Sequence, residues 1–414
     1  AMGPKYITPS ALCALLLSGS CSTSAFLSSS SVALRSSCRH LQQNRYSPLP
    51  QQLTSHNCRS SSSSNSLAMS SSITGNLVTI QQAIEIHKKS NNDDNNDECG
   101  SKNVFIDGSW HMPPRVARTE FALGPRIPNA RFLDIDDLGP PPGHPANPNK
   151  SKNLPHMKPT PETFARAMDR MSITPNDMLY VYTATKNCIG YHRAYWTLSN
   201  CGYHDPEKVK LVQGCLDEWR ECGGEIEHGE LTEGEDDRLF RTNHDDDDDD
   251  ASAKYTCWRK DGGDSVVVDM ERVLTVVENN KAGSAADAIV VDARSSGRFF
   301  GTEPEPRPGL RGGHAPGAVN VPFFTLLDPN DMAKFRPMEE VRDIFVEAGI
   351  APLSEEGGGA PRKVICSCGS GVTAAALVVA LEECGLRTKE DISIYDGSWI
   401  DWGGDDDTPI VTTD

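Results

Sequence analysis

One cysteine stands at the head of a glycine-rich loop between a predicted strand and a predicted helix. The loop covers residues 368–373 and reads CGSGVT, and the apolar residues 364–366 before it have the composition of a buried strand. A thiol attacks as the thiolate, so a nucleophilic cysteine needs surroundings that stabilise the anion. Glycines allow the backbone N–H groups of such a loop to point inward, and the following helix adds the positive end of its dipole. The loop therefore predicts Cys368 as a nucleophile; the alternative is a structural turn with a buried cysteine.

The elements that must position this loop alternate between short apolar strands and helices. Strands are predicted at residues 104–107, 178–183, 209–212, 289–292, 318–322, 364–366 and 392–395, and helices at 78–87, 160–171, 191–200, 338–347 and 373–384. Thr160 as N-cap and Pro161 at the first helical position support the second of these helices. The alternation predicts the α/β class, with helices flanking mostly parallel sheets.

The two halves of the chain repeat each other. Asp107 matches Asp292, residues 127–130 match 315–318, and residues 214–219 match 397–402. The offset is roughly 185 residues in each case, which is the signature of a duplicated domain. We therefore expect two copies of one fold.

The chain divides into two predicted domains with linking and terminal segments. We expect a disordered targeting presequence at 1–75, a first domain at 76–228, an acidic linker at 229–262, a second domain at 263–404 and a tail at 405–414. The hydrophobic fraction of 37% over 414 residues indicates that polar segments dilute the folded parts. The net charge of −18 argues against a nucleic-acid partner, which needs clustered lysine and arginine.

The first seventy residues have the composition of a targeting segment. The apolar run 11–17 is too short to span a bilayer, so no membrane association is predicted. Residues 26–72 are rich in serine, contain four arginines and carry no acidic residue. The junction between Ala25 and Phe26 resembles that of bipartite plastid presequences. Import into a plastid is the leading prediction; a mitochondrial presequence and an ordinary disordered tail are the alternatives.

The thirteen cysteines do not indicate a disulfide framework or a metal site. They are scattered over a long chain and include no Cys-x-x-Cys pair, which favours a reducing compartment and argues against structural zinc. We therefore predict no metal and no cofactor. Cys366 is interpreted as strand packing, with a redox role beside Cys368 as the alternative. Cys188, in the corresponding loop of the first half, lacks the glycine spacing of the active loop, so a second active site is not expected there.

Several motifs of the second half resemble the second domain of the two-domain rhodanese family. They are the sequences DAR at 292–294, GTEPEPR at 301–307, GHAPGAVNVP at 313–322, CGSGVTA at 368–374 and YDGSW at 395–399. The family comprises thiosulfate and 3-mercaptopyruvate sulfurtransferases. The resemblance extends from residue 104 to 402 and is stronger in the second half. It implies tandem rhodanese-like domains, of which the second is catalytic.

The resemblance also implies roles for individual residues. Cys368 would carry the persulfide, and Ser370 would relay a proton with Asp136 and His156 of the first domain. Arginine suits bidentate carboxylate binding. The implied substrate-binding set is Arg298, Arg307, Gly369, Gly371, Val372 and Thr373.

The residues after the nucleophile indicate the sulfur donor. The thiosulfate branch carries cationic side chains there, whereas Gly369 and Ser370 are neutral. A neutral loop favours the monocarboxylate 3-mercaptopyruvate, with thiosulfate:cyanide transfer as the alternative. The acceptor would be a thiol, such as thioredoxin or glutathione, or cyanide. A cysteine phosphatase is excluded because Ala374 stands where Cys-x5-Arg requires arginine, and a non-catalytic interaction module remains the other class.

Overall fold

The computed structural model describes residues 75–92, 100–140, 154–231, 253–259, 266–281, 287–352 and 363–412. The predicted presequence, apart from its last residue, and the acidic run at 245–250 lie outside these ranges.

The first half contains five strands and six helices among the described residues. They are β1 (Leu77–Thr79), α1 (Ile80–Asn92), β2 (Asn103–Asp107), α2 (Ala117–Leu123), β3 (Arg131–Phe132), α3 (Ile135–Leu138), α4 (Pro161–Arg170), β4 (Met178–Thr183), α5 (Tyr191–Ser199), β5 (Val209–Cys215) and α6 (Leu216–Glu221). The strands form one parallel sheet in the order β1-β5-β4-β2-β3. Strand β4 is buried along nearly its whole length, as expected for a parallel strand with both faces covered by helices.

The second half repeats this arrangement. Its elements are β6 (Val267–Val268), α7 (Met270–Lys281), β7 (Ala288–Asp292), α8 (Ser296–Phe299), β8 (Val319–Asn320), β9 (Leu327–Asp328), β10 (Asp331–Phe335), α9 (Met338–Glu347), β11 (Lys363–Ser367), α10 (Ala374–Glu383), β12 (Ile392–Tyr395) and α11 (Ser398–Gly403). The parallel sheet has the order β6-β12-β11-β7-β8, so β11 occupies the place of β4. The predicted α/β fold with two similar halves is confirmed.

Most predicted elements are present, with a few differences. Residues 77–79 form a strand before α1, where the sequence predicted helix from 78, because they pair with β5 at the sheet edge. The antiparallel pair β9–β10 was not predicted, because β9 has only two residues and β10 includes the charged residues Asp331 and Lys334. Thr160 caps α4 as expected and accepts a hydrogen bond from the Thr163 backbone N at 3.1 Å.

Two segments predicted to lie outside the domains pack against them. Within the predicted linker, Tyr255 is 5% exposed and its hydroxyl lies 2.6 Å from Nδ1 of His204 in the first half. Within the predicted tail, Val411 forms a β-bridge with His314 of the second half.

The largest apolar core includes side chains from both halves. Helices α5 and α10, which follow the central strands β4 and β11, contact each other, and Ala194 and Leu198 share this core with Ala375 and Val379. The loops that precede these helices therefore lie near the junction between the halves. Among the described residues, no helix is long and apolar enough to cross a membrane.

Candidate active site

Cys368 directly follows β11, the central strand of the second sheet, and is 2% exposed. The start of α11 holds the backbone around it. Ser398 Oγ accepts a hydrogen bond from the Cys368 backbone N at 3.3 Å, and the Trp399 N–H donates to the Cys368 carbonyl at 3.0 Å. The Ile400 N–H donates to the carbonyl of Gly369, also at 3.0 Å. The cysteine is thus fixed at the carboxyl end of a parallel strand, where ligands of open α/β sheets bind.

The loop after Cys368 depends on Gly371. Its φ of +82° lies in the left-handed region, which side chains rarely adopt. A Cβ there would also lie 3.2 Å from both Arg193 Nη1 and the Asp396 carbonyl. Ser370 and Val372 are buried at 7% and 2% exposure. The next residue, Thr373, starts α10 without a side-chain capping hydrogen bond.

Arg298 lies against the loop and is anchored by a buried carboxylate. Its Nη2 is 3.0 Å from where a Gly369 Cβ would be, so a side chain at position 369 would displace the guanidinium slightly. The Glu305 side chain, 1% exposed, lies 2.5 Å from Arg298 Nη2 and 2.8 Å from Arg294 Nη1. Arg294 in turn pairs with Asp292 at 2.6 Å. A row of alternating charges therefore fixes the Arg298 guanidinium beside the loop.

Arg307 faces a cleft that the first half mostly forms. The cleft has a volume of about 680 Å³, and Arg307 is the only second-half residue among the described residues that line it. Partial burial and the charge of Arg298 lower the pKa of Arg307, whereas the charges of Cys368 and Asp136 act in the opposite direction. Arg307 is therefore within electrostatic reach of both the loop and the opposite wall of the cleft.

Asp136 and His156 meet in that cleft. Nδ1 of His156 lies 2.6 Å from Oδ1 of Asp136, and Trp110 Nε1 donates to Asp136 Oδ2 at 2.9 Å. The indole also packs edge-on to the imidazole, with ring centroids 4.9 Å apart. Burial acts to raise the pKa of Asp136, but the hydrogen bonds from His156 and Trp110 and the nearby charges outweigh it and hold the pKa below its ordinary value. The structure thus brings Asp136 and His156 into contact with each other, although 20 residues separate them in sequence.

The other two cysteines considered from the sequence are packed in the interior. Cys366 is 0% exposed, and burial together with the Cys368 charge raises its pKa well above the ordinary value. Cys188 is 1% exposed, and its Sγ lies 3.3 Å from the Trp110 backbone N, which donates to it.

Three residues at the site were missed from the sequence. Glu305 holds Arg298, and Arg193 of the first half pairs with Asp396 beside the loop at 2.7 Å. An arginine in the first turn of a helix without acidic residues was an available signal for Arg193, because burying a charge requires a partner.

Comparisons with known proteins agree with this architecture. A family model described as the rhodanese-like domain matches residues 275–405. The chain is 31% identical over 316 residues to the probable 3-mercaptopyruvate sulfurtransferase of Schizosaccharomyces pombe, covering 75% of this chain and 91% of that protein. It is 30% identical over 321 residues to the mitochondrial thiosulfate/3-mercaptopyruvate sulfurtransferase 1 of Arabidopsis thaliana, covering 75% and 74%.

A solved structure shows the same fold. The crystal structure of SseA from Escherichia coli, described as a 3-mercaptopyruvate sulfotransferase with the rhodanese fold, aligns with a TM-score of 0.54 at 27% identity. The alignment covers 79% of this chain and 99% of that one, so both halves take part in the likeness.

Proposed function

Because the chain belongs to the two-domain sulfurtransferase family with rhodanese-like domains, we propose that it moves sulfane sulfur from 3-mercaptopyruvate to a thiol acceptor through a persulfide on Cys368. The observation that carries this proposal is the combination of a neutral loop after Cys368 with two guanidinium groups beside it. A donor with one carboxylate and a neutral leaving-group carbonyl matches that charge distribution better than dianionic thiosulfate does.

Arg307 and Arg298 are the proposed carboxylate anchors. Arg307 lines the cleft, and no side chain of the described residues forms an ion pair or hydrogen bond with it, so its donors are available to a substrate. Arg298 is already paired with Glu305 and contributes a second, fixed positive charge beside Gly369. In this proposal the two arginines hold the substrate carboxylate so that its sulfur faces Cys368.

The first half-reaction forms a sulfur–sulfur bond and breaks a carbon–sulfur bond. The Cys368 thiolate attacks the substrate sulfur, and the electron pair of the carbon–sulfur bond leaves with the pyruvate enolate. Backbone N–H groups of the loop and the start of α10 (Ala374–Glu383) stabilise the anionic persulfide. The remaining proposed substrate-binding residues, Gly371, Val372 and Thr373, shape this part of the loop.

Ser370, His156 and Asp136 are the proposed proton relay. The enolate needs one proton to become pyruvate, and the Ser370 hydroxyl is the proposed donor next to the nucleophile. Asp136 orients the His156 ring through the contact at Nδ1, so that the imidazole can exchange a proton through its other nitrogen. In the second half-reaction a thiol such as thioredoxin or glutathione, or cyanide, takes the outer sulfur and regenerates the Cys368 thiolate.

Mass spectrometry tests the proposal directly. Incubation with 3-mercaptopyruvate should release pyruvate and add one sulfur mass to the peptide that contains Cys368. Absence of that mass gain in a protein that binds the donor would contradict the persulfide intermediate. Pyruvate release by Cys368→Ser at the wild-type rate would contradict the residue assignment.

Thiosulfate transfer is the second candidate, because the Arabidopsis relative carries both substrates in its name. The neutral loop predicts a kcat/KM for thiosulfate at least about tenfold below that for 3-mercaptopyruvate, equivalent to the loss of one favourable charge interaction. Initial rates with both donors and a common acceptor measure this ratio.

We further propose the two domains of the sequence analysis, with Tyr255 of the linker packed on the first and Val411 of the tail on the second. We also propose import into an organelle. The composition of residues 26–72 and the Ala25–Phe26 junction favour a plastid, while the Arabidopsis relative is named mitochondrial. Fusion of residues 1–75 to a fluorescent protein distinguishes the two destinations.

A further inference from the structure

Arg193 links the two halves at the catalytic loop. It lies in the first turn of α5 (Tyr191–Ser199), in the half without the proposed nucleophile, and is 1% exposed. Nη1 donates to the Gly371 carbonyl at 3.2 Å, and Nη2 donates to the His156 carbonyl at 2.6 Å and to Asp396 Oδ1 at 2.7 Å. One guanidinium therefore binds the backbone of the Cys368 loop and the backbone of the proposed relay histidine.

The acceptors of Arg193 are themselves held in place. Asp396 is 4% exposed, and its second oxygen accepts a hydrogen bond from the Lys158 backbone N at 2.5 Å, two residues after His156. Gly371 has the left-handed backbone already described, and its Cα lies so close to Arg193 and Asp396 that a side chain would contact both. Hydrogen bonds thus connect the Arg193–Asp396 ion pair both to the Cys368 loop and to the segment that contains His156.

Local structure does not account for an arginine at this position. The helix dipole disfavours a cation in the first turn, and α5 is buried along its whole length. The guanidinium stacks on Trp196, with Cζ 4.3 Å from the ring centroid, and meets its charge partner only across the junction between the halves. A buried arginine with planar, divergent donors suits the simultaneous binding of two carbonyls and a carboxylate, which a lysine ammonium cannot reproduce.

We propose that Arg193 is a positioning residue that keeps the Cys368 loop and His156 in the relative positions that sulfur transfer requires. In this proposal the first half contributes to the chemistry by holding the Cys368 loop of the second half in its working conformation. This inference rests on the proposed function for its kinetic test, but not for its structural one.

The kinetic test compares Arg193→Lys and Arg193→Met with the wild-type protein and a matched control. Arg126→Met is the control, because Arg126 is also a buried first-half arginine that binds carbonyls, those of Phe121, Ala122 and Gly229, and it pairs with Glu227. We expect kcat for pyruvate release to fall about tenfold to a hundredfold in both Arg193 variants, with KM changed much less, because the reacting groups lose alignment rather than carboxylate binding. Arg193→Lys should keep the charge pair with Asp396 and a near-normal melting temperature.

Hydrogen exchange gives a readout that does not depend on the donor. Peptides covering residues 368–373 and 156–158 should exchange about tenfold faster in the Arg193 variants than in wild type, and at the wild-type rate in Arg126→Met.

If wild type fails to release pyruvate, the proposed function falls while the exchange result still decides the role of Arg193. If Arg193→Met does not fold, Arg193→Lys decides it. Wild-type kcat or unchanged loop exchange in Arg193→Lys, or a kcat loss in Arg193→Met no larger than in Arg126→Met, would overturn the proposal.

Discussion

The two halves share one sheet order but differ at the loop that follows the central strand. In the second half this loop carries Cys368 and the left-handed Gly371. In the first half the equivalent loop holds Cys188 against the Trp110 backbone, and Gly190 packs so closely on Trp110 that a Cβ at position 190 would overlap the Trp110 Cβ. The duplicated scaffold therefore places the proposed nucleophile in the second copy, where the first copy has a packed cysteine. The other copy supplies groups that face it across the junction.

A second difference lies at the end of the neighbouring strand. Asp107 and Asp292 occupy equivalent positions, and each accepts a hydrogen bond at 2.9 Å from the backbone N two residues later. That residue is Ser109 in the first half and Arg294 in the second. Burial raises the pKa of Asp107 to about 6, whereas Asp292 is paired with Arg294 at 2.6 Å. In the first half the Asp107 carboxylate accepts a structural hydrogen bond. In the second half the equivalent Asp292 begins the row of charges that fixes Arg298.

The sharpest test of the first difference is a pair of cysteine variants. Cys368→Ser should lower pyruvate release at least about a thousandfold, since removing a covalent nucleophile leaves only binding and electrostatic contributions. Cys188→Ser should retain wild-type kcat, measured in the same assay. Comparable losses in both variants would mean that the two loops are not functionally different.

The second difference predicts opposite effects on stability for two matched variants. Asp292→Asn should lower the free energy of unfolding by about 3 kcal/mol or more, because it removes a charge partner of the buried Arg294. Burial raises the pKa of Asp107 from its ordinary value of 3.8 to about 6 in the folded protein. The stability of the wild-type protein is therefore undiminished by Asp107 below about pH 4, and it falls as the pH rises through 6 because the buried side chain must ionise. Asp107→Asn should therefore be more stable than wild type at pH 8, by up to about 3 kcal/mol, and much closer to it at pH 4.

Urea unfolding of wild type and both variants at pH 4, 6 and 8 measures these differences. A pH-independent gap between Asp107→Asn and wild type would show that Asp107 does not titrate in this range.

Glu305→Gln tests whether the charge row fixes Arg298. The variant leaves Arg294 and Arg298 without their shared carboxylate, and a misplaced guanidinium should lower kcat/KM for 3-mercaptopyruvate by about a hundredfold. Glu303→Gln is the control, because it lies on the same segment and is exposed. Equal kcat/KM in the two variants would argue that Arg298 needs no anchor.

Asp136→Asn should have the smallest catalytic effect. Losing the carboxylate that orients His156 should lower kcat by about tenfold to a hundredfold, less than loss of the nucleophile. Because the pKa of Asp136 lies below its ordinary value, the wild-type carboxylate stays ionised at neutral pH, and the deficit should persist from pH 6 to 8. Asp137→Asn, one residue along and paired with Arg118, is the control and should leave kcat unchanged.

The sequence by itself determined the α/β class, the duplication and the position of the cysteine loop. These features depend on local signals: short apolar strands, glycines at a turn and motifs repeated at a constant offset. Asp136 and His156 follow from the resemblance alone, and only the structure shows their contact in the cleft. Their roles and that of Ser370 stay predictions.

Only the tertiary structure decided which charges meet at the loop. Arg193 and Asp396 are 203 residues apart in sequence, and nothing in the local pattern around either residue specifies the other. Glu305 could have been an exposed residue of a proline-rich segment, yet its side chain is buried between two arginines. Periodicity predicts which face of an element is buried, whereas pairing between buried charges depends on how loops fold back and how separate elements pack.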